Sequence, residues 1–134
     1  MTDLSQDLSL YIHKTGVLPV AWGESDCTAW PAKWVEYVHG RSLDLPRWGS
    51  ADEAHAMIAE AGSLERLWSG ALDVYGLRER LGDPVCGDVG IIETRIAGQV
   101  GVIFIHESLA ALRGEPRGVR CIGTRQIVKA WAIQ

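Results

Sequence analysis

The stretch "AWGESDC", residues 21–27, decides how this chain is interpreted. A helix is predicted to follow it, because apolar residues recur at helical spacing from about Asp26 to His39. The partial positive charge at a helix N-terminus can lower the pKa of a cysteine placed there, which would make Cys27 a nucleophile. The alternative is a buried thiol in a helix that Asp26 caps with its carboxylate, since free cysteine is among the most buried residue types.

The rest of the chain divides into a helical half and a strand half. Helices are predicted at residues 2–14, capped by Thr2 or Asp3, and at 51–61, with Ser50 as cap; two short helical turns should follow in 63–82. Short runs rich in β-branched residues come next: "VCGDVGIIET", "QVGVIFIH", "LAALRG", "GVRCIG" and "VKAWAI". This order predicts one α+β domain, residues 1–134, with a sheet of four or five antiparallel strands packed on the cysteine-bearing helix.

Composition excludes several classes of function. A chain of 134 residues with 47% hydrophobic and 22% charged residues is typical of one globular domain. The net charge of −4 argues against nucleic-acid binding. Basic residues near the end alternate with apolar ones and are interpreted as the solvated face of the sheet: Arg113, Arg117, Arg120, Arg125 and Lys129. The N-terminal segment has no long apolar run, so we expect no signal peptide, no membrane insertion and synthesis in a cytoplasm.

The cysteines do not indicate a disulfide framework or a metal centre. Cys27, Cys86 and Cys121 are an odd number without paired spacing. A zinc site from Cys86, Cys121 and His106 is conceivable, but CxxC and HxxxH spacings are absent. We therefore expect no metal and no cofactor.

Two of the six tryptophans, Trp22 and Trp48, fall in predicted loops. They either roof the core, which is the favoured interpretation, or mark a protein interface.

Three motifs together resemble a known family. "WGESDC", then "GDVGII" at 87–92, then "QVGVIFI" at 99–105, resemble the NlpC-type papain-like cysteine peptidases. The closer resemblance is to small phage tail-associated proteins of this fold, which share the "AWGxxDC" start, the "GDV" strand and a chain end like "AWAI", here residues 130–133. The resemblance runs from about Leu4 to Ile133 and implies a papain-like fold.

The resemblance also assigns roles residue by residue. Cys27 matches the nucleophile, and Asp88 matches the aspartate that opens the first core strand. The position of the general base, a histidine in the family, falls on Gln99, and the residue that orients the base falls near Ala110 or Ala111. Glutamine has no titratable group near neutral pH, so it cannot take the thiol proton. The catalytic set is expected to be incomplete.

His106 is the nearest residue that could replace the missing base. It lies at the far end of the strand that begins near Gln99, roughly 20 Å away at about 3.3 Å per residue, unless the strand register differs from this alignment. The remaining histidines are interpreted as helix-end or exposed positions: His13, His39 and His55.

These observations leave two functions open. The resemblance implies a structural or adaptor protein of a phage tail tip, located in the virion, assembled in the bacterial host cytoplasm and bound to other phage tail proteins. The alternative is an active cysteine peptidase or amidase, a hydrolase that cuts the peptide stems of peptidoglycan during DNA entry. The first is favoured, because the missing base removes a proton-transfer contribution of roughly 10²–10⁴-fold.

Overall fold

The computed structural model describes residues 3–95, 97–114, 117–124 and 126–134. Within these ranges four helices precede five strands, which confirms the predicted α+β class and its helix-then-sheet order. The elements are α1 (Leu4–Gly16), α2 (Ala29–His39), α3 (Ala51–Ala61), α4 (Leu64–Tyr75), β1 (Val89–Thr94), β2 (Gly98–His106), β3 (Leu109–Arg113), β4 (Val119–Gly123) and β5 (Ile127–Trp131).

Local capping sets the ends of the helices as the sequence predicts. The carboxylate of Asp3 accepts the backbone N–H of Ser5, and the hydroxyl of Ser50 accepts that of Glu53. Gly40 ends α2. The other predicted cap of α1, Thr2, lies outside the described residues.

One helix replaces the two short turns predicted after α3. Helix α4 is continuous over twelve residues, because its apolar positions Leu64, Trp68 and Leu72 form one buried stripe. The chain after it is extended and runs along the open edge of β5, where the N–H of Arg80 donates to the carbonyl of Ala130. The helical spacing in the second predicted turn therefore does not produce a helix.

The sheet is antiparallel, with the order β4-β3-β2-β1-β5. Its central strand β2 pairs with β1 through Ile91 and Gly101, and with β3 through Ile103 and Ala111. One face of the sheet joins the helices in the main core, and the opposite face forms a separate apolar cluster around Phe104. Both faces of β2 are thus buried over most of its length.

The helix predicted to follow "AWGESDC", α2, packs on this sheet as predicted, but it begins at Ala29, so Cys27 lies just before it. Its Trp34 and Val35 are completely buried in the main core. The indole N–H of Trp34 donates to the carbonyl of Gly87 at 2.8 Å, which ties α2 to the entry of β1.

The interpretation of Arg113 as a solvated residue is wrong. Its side chain is only 5% exposed, and its guanidinium donates to the carbonyls of Gly16, Leu18, Ser25 and Gly118. Five N–H donors in a planar fork allow an arginine to be buried when backbone carbonyls surround it. Arg113 therefore joins the end of α1, the cysteine loop and the β3–β4 turn.

The other basic residues near the end of the chain agree better with the prediction. Arg117 and Arg120 are exposed, and Arg125 lies outside the described residues. Lys129 is half-buried and makes ion pairs with Glu65 and Glu79, both at 3.8 Å. In the described part of the chain, no helix has the length and apolar character that crossing a membrane requires.

Candidate functional site

The loop before α2 is organised by the carboxylate of Asp26. This side chain is only 2% exposed. One carboxylate oxygen accepts the N–H of Gly23 at 2.6 Å, and the other accepts the N–H groups of Thr28 and Ala29, each at 2.9 Å. Asp26 therefore caps α2 as predicted, although the helix begins at Ala29 and Cys27 lies in the preceding turn.

Gly23 lets this loop turn next to a second loop. Its φ is +81°, and a Cβ atom there would lie 3.2 Å from the carbonyl oxygen of Trp48. Gly23 therefore makes a tight turn in the cysteine loop. It holds the tryptophan of the cysteine loop, Trp22, near Trp48 of the loop before α3.

A glycine of β2 lets the cysteine loop contact the sheet. A Cβ atom on Gly101 would collide with the carbonyl oxygen of Cys27 and would lie 2.5 Å from the ring of Trp68. The backbone of Cys27 therefore packs directly on β2, two residues from Gln99.

Cys27 and Gln99 line the same cavity, of about 430 Å³. Helix α3 provides a further wall with Ala54, His55 and Ile58. The structure thus brings together the two positions that the resemblance assigns to the nucleophile and the base.

Gln99 is held by the chain itself. Its amide oxygen accepts the backbone N–H of Glu65 at 3.1 Å, in the first turn of α4. A glutamine in this position satisfies one of the free N–H groups at a helix start and offers the cysteine no base.

His106 does not lie in this cavity. It ends β2, is exposed, and its Nδ1 lies 3.1 Å from the hydroxyl of Ser108 and 3.2 Å from the N–H of the same residue. His106 lies seven positions after Gln99 along β2, which is roughly 20 Å of strand. The register that would have paired His106 with Cys27 is not the one in the structure.

The two alanines at the expected orienting position lie beside the middle of β2. Ala110 pairs with Phe104, and Ala111 pairs with Ile103. Both are fully buried and apolar. Neither can orient a polar group at Gln99.

Sequence reasoning missed the structural role of Arg113 at the site. Its Nε donates to the carbonyl of Ser25 at 3.3 Å, two residues before Cys27. Arg113 follows Ala111 by two residues, which is the period of a strand. The sequence could therefore have indicated that the side chain of Arg113 faces the helices.

His55 was interpreted as an exposed helical residue, and it is exposed. It also lines the cavity that contains Cys27. Apart from Cys27, it is the one titratable side chain among the described residues of the cavity wall. His55 lies 28 residues after Cys27 and on a separate helix, so the sequence alone does not indicate that the two side chains share a cavity.

The two loop tryptophans differ. Trp48 is 2% exposed and roofs the core, as favoured. Trp22 is 37% exposed, and both rings line the cavity.

The thiol of Cys27 is not activated. Burial raises its pKa above the ordinary value, and the negative charge of Asp26 raises the pKa further. Hydrogen bonds from the backbone of Gly101 and from the side chain of Thr28 act in the opposite direction and are outweighed. The helix N-terminus does not produce a thiolate here, because Asp26 already occupies it and the thiol is removed from water.

We expect Cys27 to be alkylated slowly at neutral pH. In a chain with Cys86→Ser and Cys121→Ser, iodoacetamide should react with a pH midpoint above that of the same chain unfolded in guanidinium. A pKa that is higher in the folded state means that this thiol stabilises the fold below its unfolded pKa, and that the contribution is lost as pH rises through the folded pKa.

The matched variant is Gln99→His, which places an imidazole in the cavity. It should increase the alkylation rate near neutral pH. If the pH midpoint of alkylation in the folded parent chain is at or below that of the unfolded chain, the structure is contradicted. If Gln99→His does not change the alkylation rate, residues 27 and 99 do not lie side by side as described.

A family model described as "Domain of unknown function (DUF6950)" matches residues 1–133. The chain belongs to the DUF6950 family. No curated protein matches it. The matched range of this DUF6950 chain includes every helix and strand described above, so the cysteine loop, the cavity and the sheet all lie inside the family domain.

The described residues of this DUF6950 domain contain no group of three or more His, Cys, Asp or Glu side chains placed to hold a metal ion. Cys86, Cys121 and His106 accordingly do not come together.

Proposed function

We propose that this chain is a structural or adaptor protein of a phage tail tip, built on an NlpC-type papain-like fold whose catalytic set is incomplete. One observation carries the proposal: Gln99, the residue that the resemblance assigns to the position of the base, lines the same cavity as Cys27, and its amide oxygen accepts a backbone N–H in the first turn of α4. A cysteine without a base loses the proton transfers that acyl transfer needs, both from the sulfur and to the leaving amine.

The arrangement around the cysteine supports the papain-like assignment. An Asp–Cys pair precedes a helix that packs on an antiparallel sheet, and the strand behind Cys27 is the one that carries Gln99. The family resemblance implies this same order of elements.

The tail location rests on the sequence resemblance. "AWGESDC", "GDV" and "AWAI" stand in the order found in small phage tail-associated proteins. The partners are then other phage tail proteins, and the protein is part of the virion after assembly in the host cytoplasm.

The test is to introduce Cys27→Ala into the phage that encodes the chain. We expect purified tails to contain the variant in the normal amount and to infect normally, because a partly buried thiol without a base does no chemistry. Cys121→Ala, at an exposed site, is the matched control. Defective tails from a well-folded Cys27→Ala chain, or tails that lack even the unmodified protein, would refute the proposal.

An active cysteine peptidase or amidase is the second candidate. The observation that favours it is His55, the imidazole that shares the cavity with Cys27. For hydrolysis this imidazole would take the Sγ proton as sulfur attacks a carbonyl carbon, and would then protonate the leaving amine. It would next take a proton from a water molecule that attacks the resulting thioester, and would return that proton to the sulfur as the acid product leaves. Cleavage of purified cell-wall stem peptides that is lost in both Cys27→Ala and His55→Ala would establish it.

A further inference from the structure

The cavity beside Cys27 is lined mainly by uncharged side chains. Among its described lining residues there is no Asp, Glu, Lys or Arg. The thiol of Cys27 stays protonated at neutral pH, because burial raises its pKa. His55 is the other titratable side chain among the described lining residues.

Three polar side chains of the lining have hydrogen-bond partners within the described chain, whereas the buried indole N–H of Trp48 has none there. The hydroxyl of Thr28 accepts the indole N–H of Trp68 at 3.3 Å, and the hydroxyl of Ser63 accepts the N–H of Arg66 at 3.1 Å. The amide oxygen of Gln99 accepts the N–H of Glu65. These three hydrogen bonds stabilise the wall of the cavity.

The remaining surface is aromatic and aliphatic. It includes Trp22 and Trp48 together with the aliphatic side chains of Ile58, Leu64 and Val100. The volume of about 430 Å³ is within the range of roughly 300–1,000 Å³ that is common for binding pockets. Binding of an apolar group to such a surface is favourable, because it removes the group from water.

We propose that this cavity binds an uncharged apolar side chain of a partner polypeptide, which inserts as an anchor between Trp22 and the α3 wall. The inference rests on the proposed function and specifies it, because it identifies the chemistry by which a neighbouring tail protein would attach. Large apolar anchors seated in such pockets contribute most of the binding energy in many protein interfaces.

The same electrostatics disfavour the substrate of the alternative function. Cell-wall stem peptides carry free carboxylates. A carboxylate entering this cavity would lose its hydration and would meet no lysine or arginine among the described lining residues. An apolar protein side chain has no such cost.

Binding can be measured with N-phenyl-1-naphthylamine, a neutral apolar fluorescent probe. We expect saturable binding of one probe per chain, competed by acetyl-Gly-Leu-Gly-amide and not by acetyl-Gly-Glu-Gly-amide. Gln99→Glu should weaken probe binding by about tenfold or more, since it adds a charge to an apolar wall. Ala97→Asp adds a charge at an exposed lining residue and should act in the same direction, which covers the case that Gln99→Glu fails to fold.

The matched control is Gln6→Glu, the same chemical change at an exposed residue of α1 away from the cavity, which should leave probe binding unchanged. Preferential competition by the glutamate peptide or by purified stem peptides, or equal loss in Gln6→Glu, would overturn the inference. If the chain is absent from purified tails, the tail function is refuted, whereas the probe experiment tests only the chemistry of the cavity. Failure of the proposed function and failure of this inference are therefore distinguishable.

Discussion

Replacing Gly101 with alanine is expected to be the most damaging single-methyl change at the candidate site. The added Cβ would collide with the carbonyl oxygen of Cys27 and would lie 2.5 Å from the ring of Trp68. The first contact is backbone held by the Asp26 cap, and the second is a completely buried ring. Neither can move without displacing α2 or α4 from the sheet.

The cost should exceed that of ordinary overpacking. Extra methyl groups in well-packed cores cost about 1–3 kcal/mol, and a collision with fixed backbone should bring the loss in free energy of unfolding to about 3 kcal/mol or more. Urea unfolding followed by tryptophan fluorescence measures it, because Trp68 lies at the collision.

The matched control is Gly123→Ala, in the edge strand β4. The nearest atom to a Cβ there is 4.0 Å away, so the free energy of unfolding should change by less than about 0.5 kcal/mol. Equal stability of the Gly101→Ala and Gly123→Ala variants would show that the cysteine loop does not pack on β2 as described.

Asp88→Ala is expected to have the second largest effect. This carboxylate is completely buried at the entry of β1. It accepts two N–H groups from the guanidinium of Arg80, at 2.9 and 3.3 Å, and the backbone N–H groups of Val85 and Ile133, at 2.9 and 3.0 Å. Alanine would leave a partly buried guanidinium and two backbone donors without their acceptor.

Removing one partner of a buried ion pair costs about 3–5 kcal/mol, and we expect a loss of this size for Asp88→Ala. Chemical denaturation at neutral pH is the measurement. Asp83→Ala, in the same loop but exposed, is the control and should change little. If Arg80→Met in the Asp88→Ala background recovers none of the lost stability, the uncompensated guanidinium is not the cause.

The sequence predicts the fold class because its local signals agree with the final structure. The strand runs from Val89 to Trp131 are short, rich in β-branched residues and separated by turn residues, and each becomes a strand. Caps at Asp3 and Ser50 define helix starts that tertiary packing does not override.

The incorrect predictions depend on contacts between distant residues. Residues 78–80 have helical spacing, but they run along β5 because its edge offers hydrogen bonds. The alternation of Arg113 with Ala111 indicates its face of the sheet, but its burial depends on carbonyls that lie 88 to 97 residues earlier as well as on Gly118. No local pattern encodes such a set of acceptors.

The candidate site was predictable in outline and not in its electrostatics. The motif resemblance places Cys27 and Gln99 in one site, and both line one cavity. The raised pKa of the thiol depends on its burial and on the orientation of Asp26, which the order of residues alone does not give. His55 joins the cavity through the packing of α3, a separate element.

The position of Arg113 has a consequence for folding during synthesis on the ribosome. The hydrogen bond from Arg113 to Ser25 spans 88 residues. At translation rates of about 5–20 residues per second, Arg113 of β3 is therefore synthesised roughly 4 to 18 s after the cysteine loop. During that interval the tryptophan-rich surface of α2 has no sheet to cover it. The nascent N-terminal half therefore needs protection from aggregation until the strands emerge.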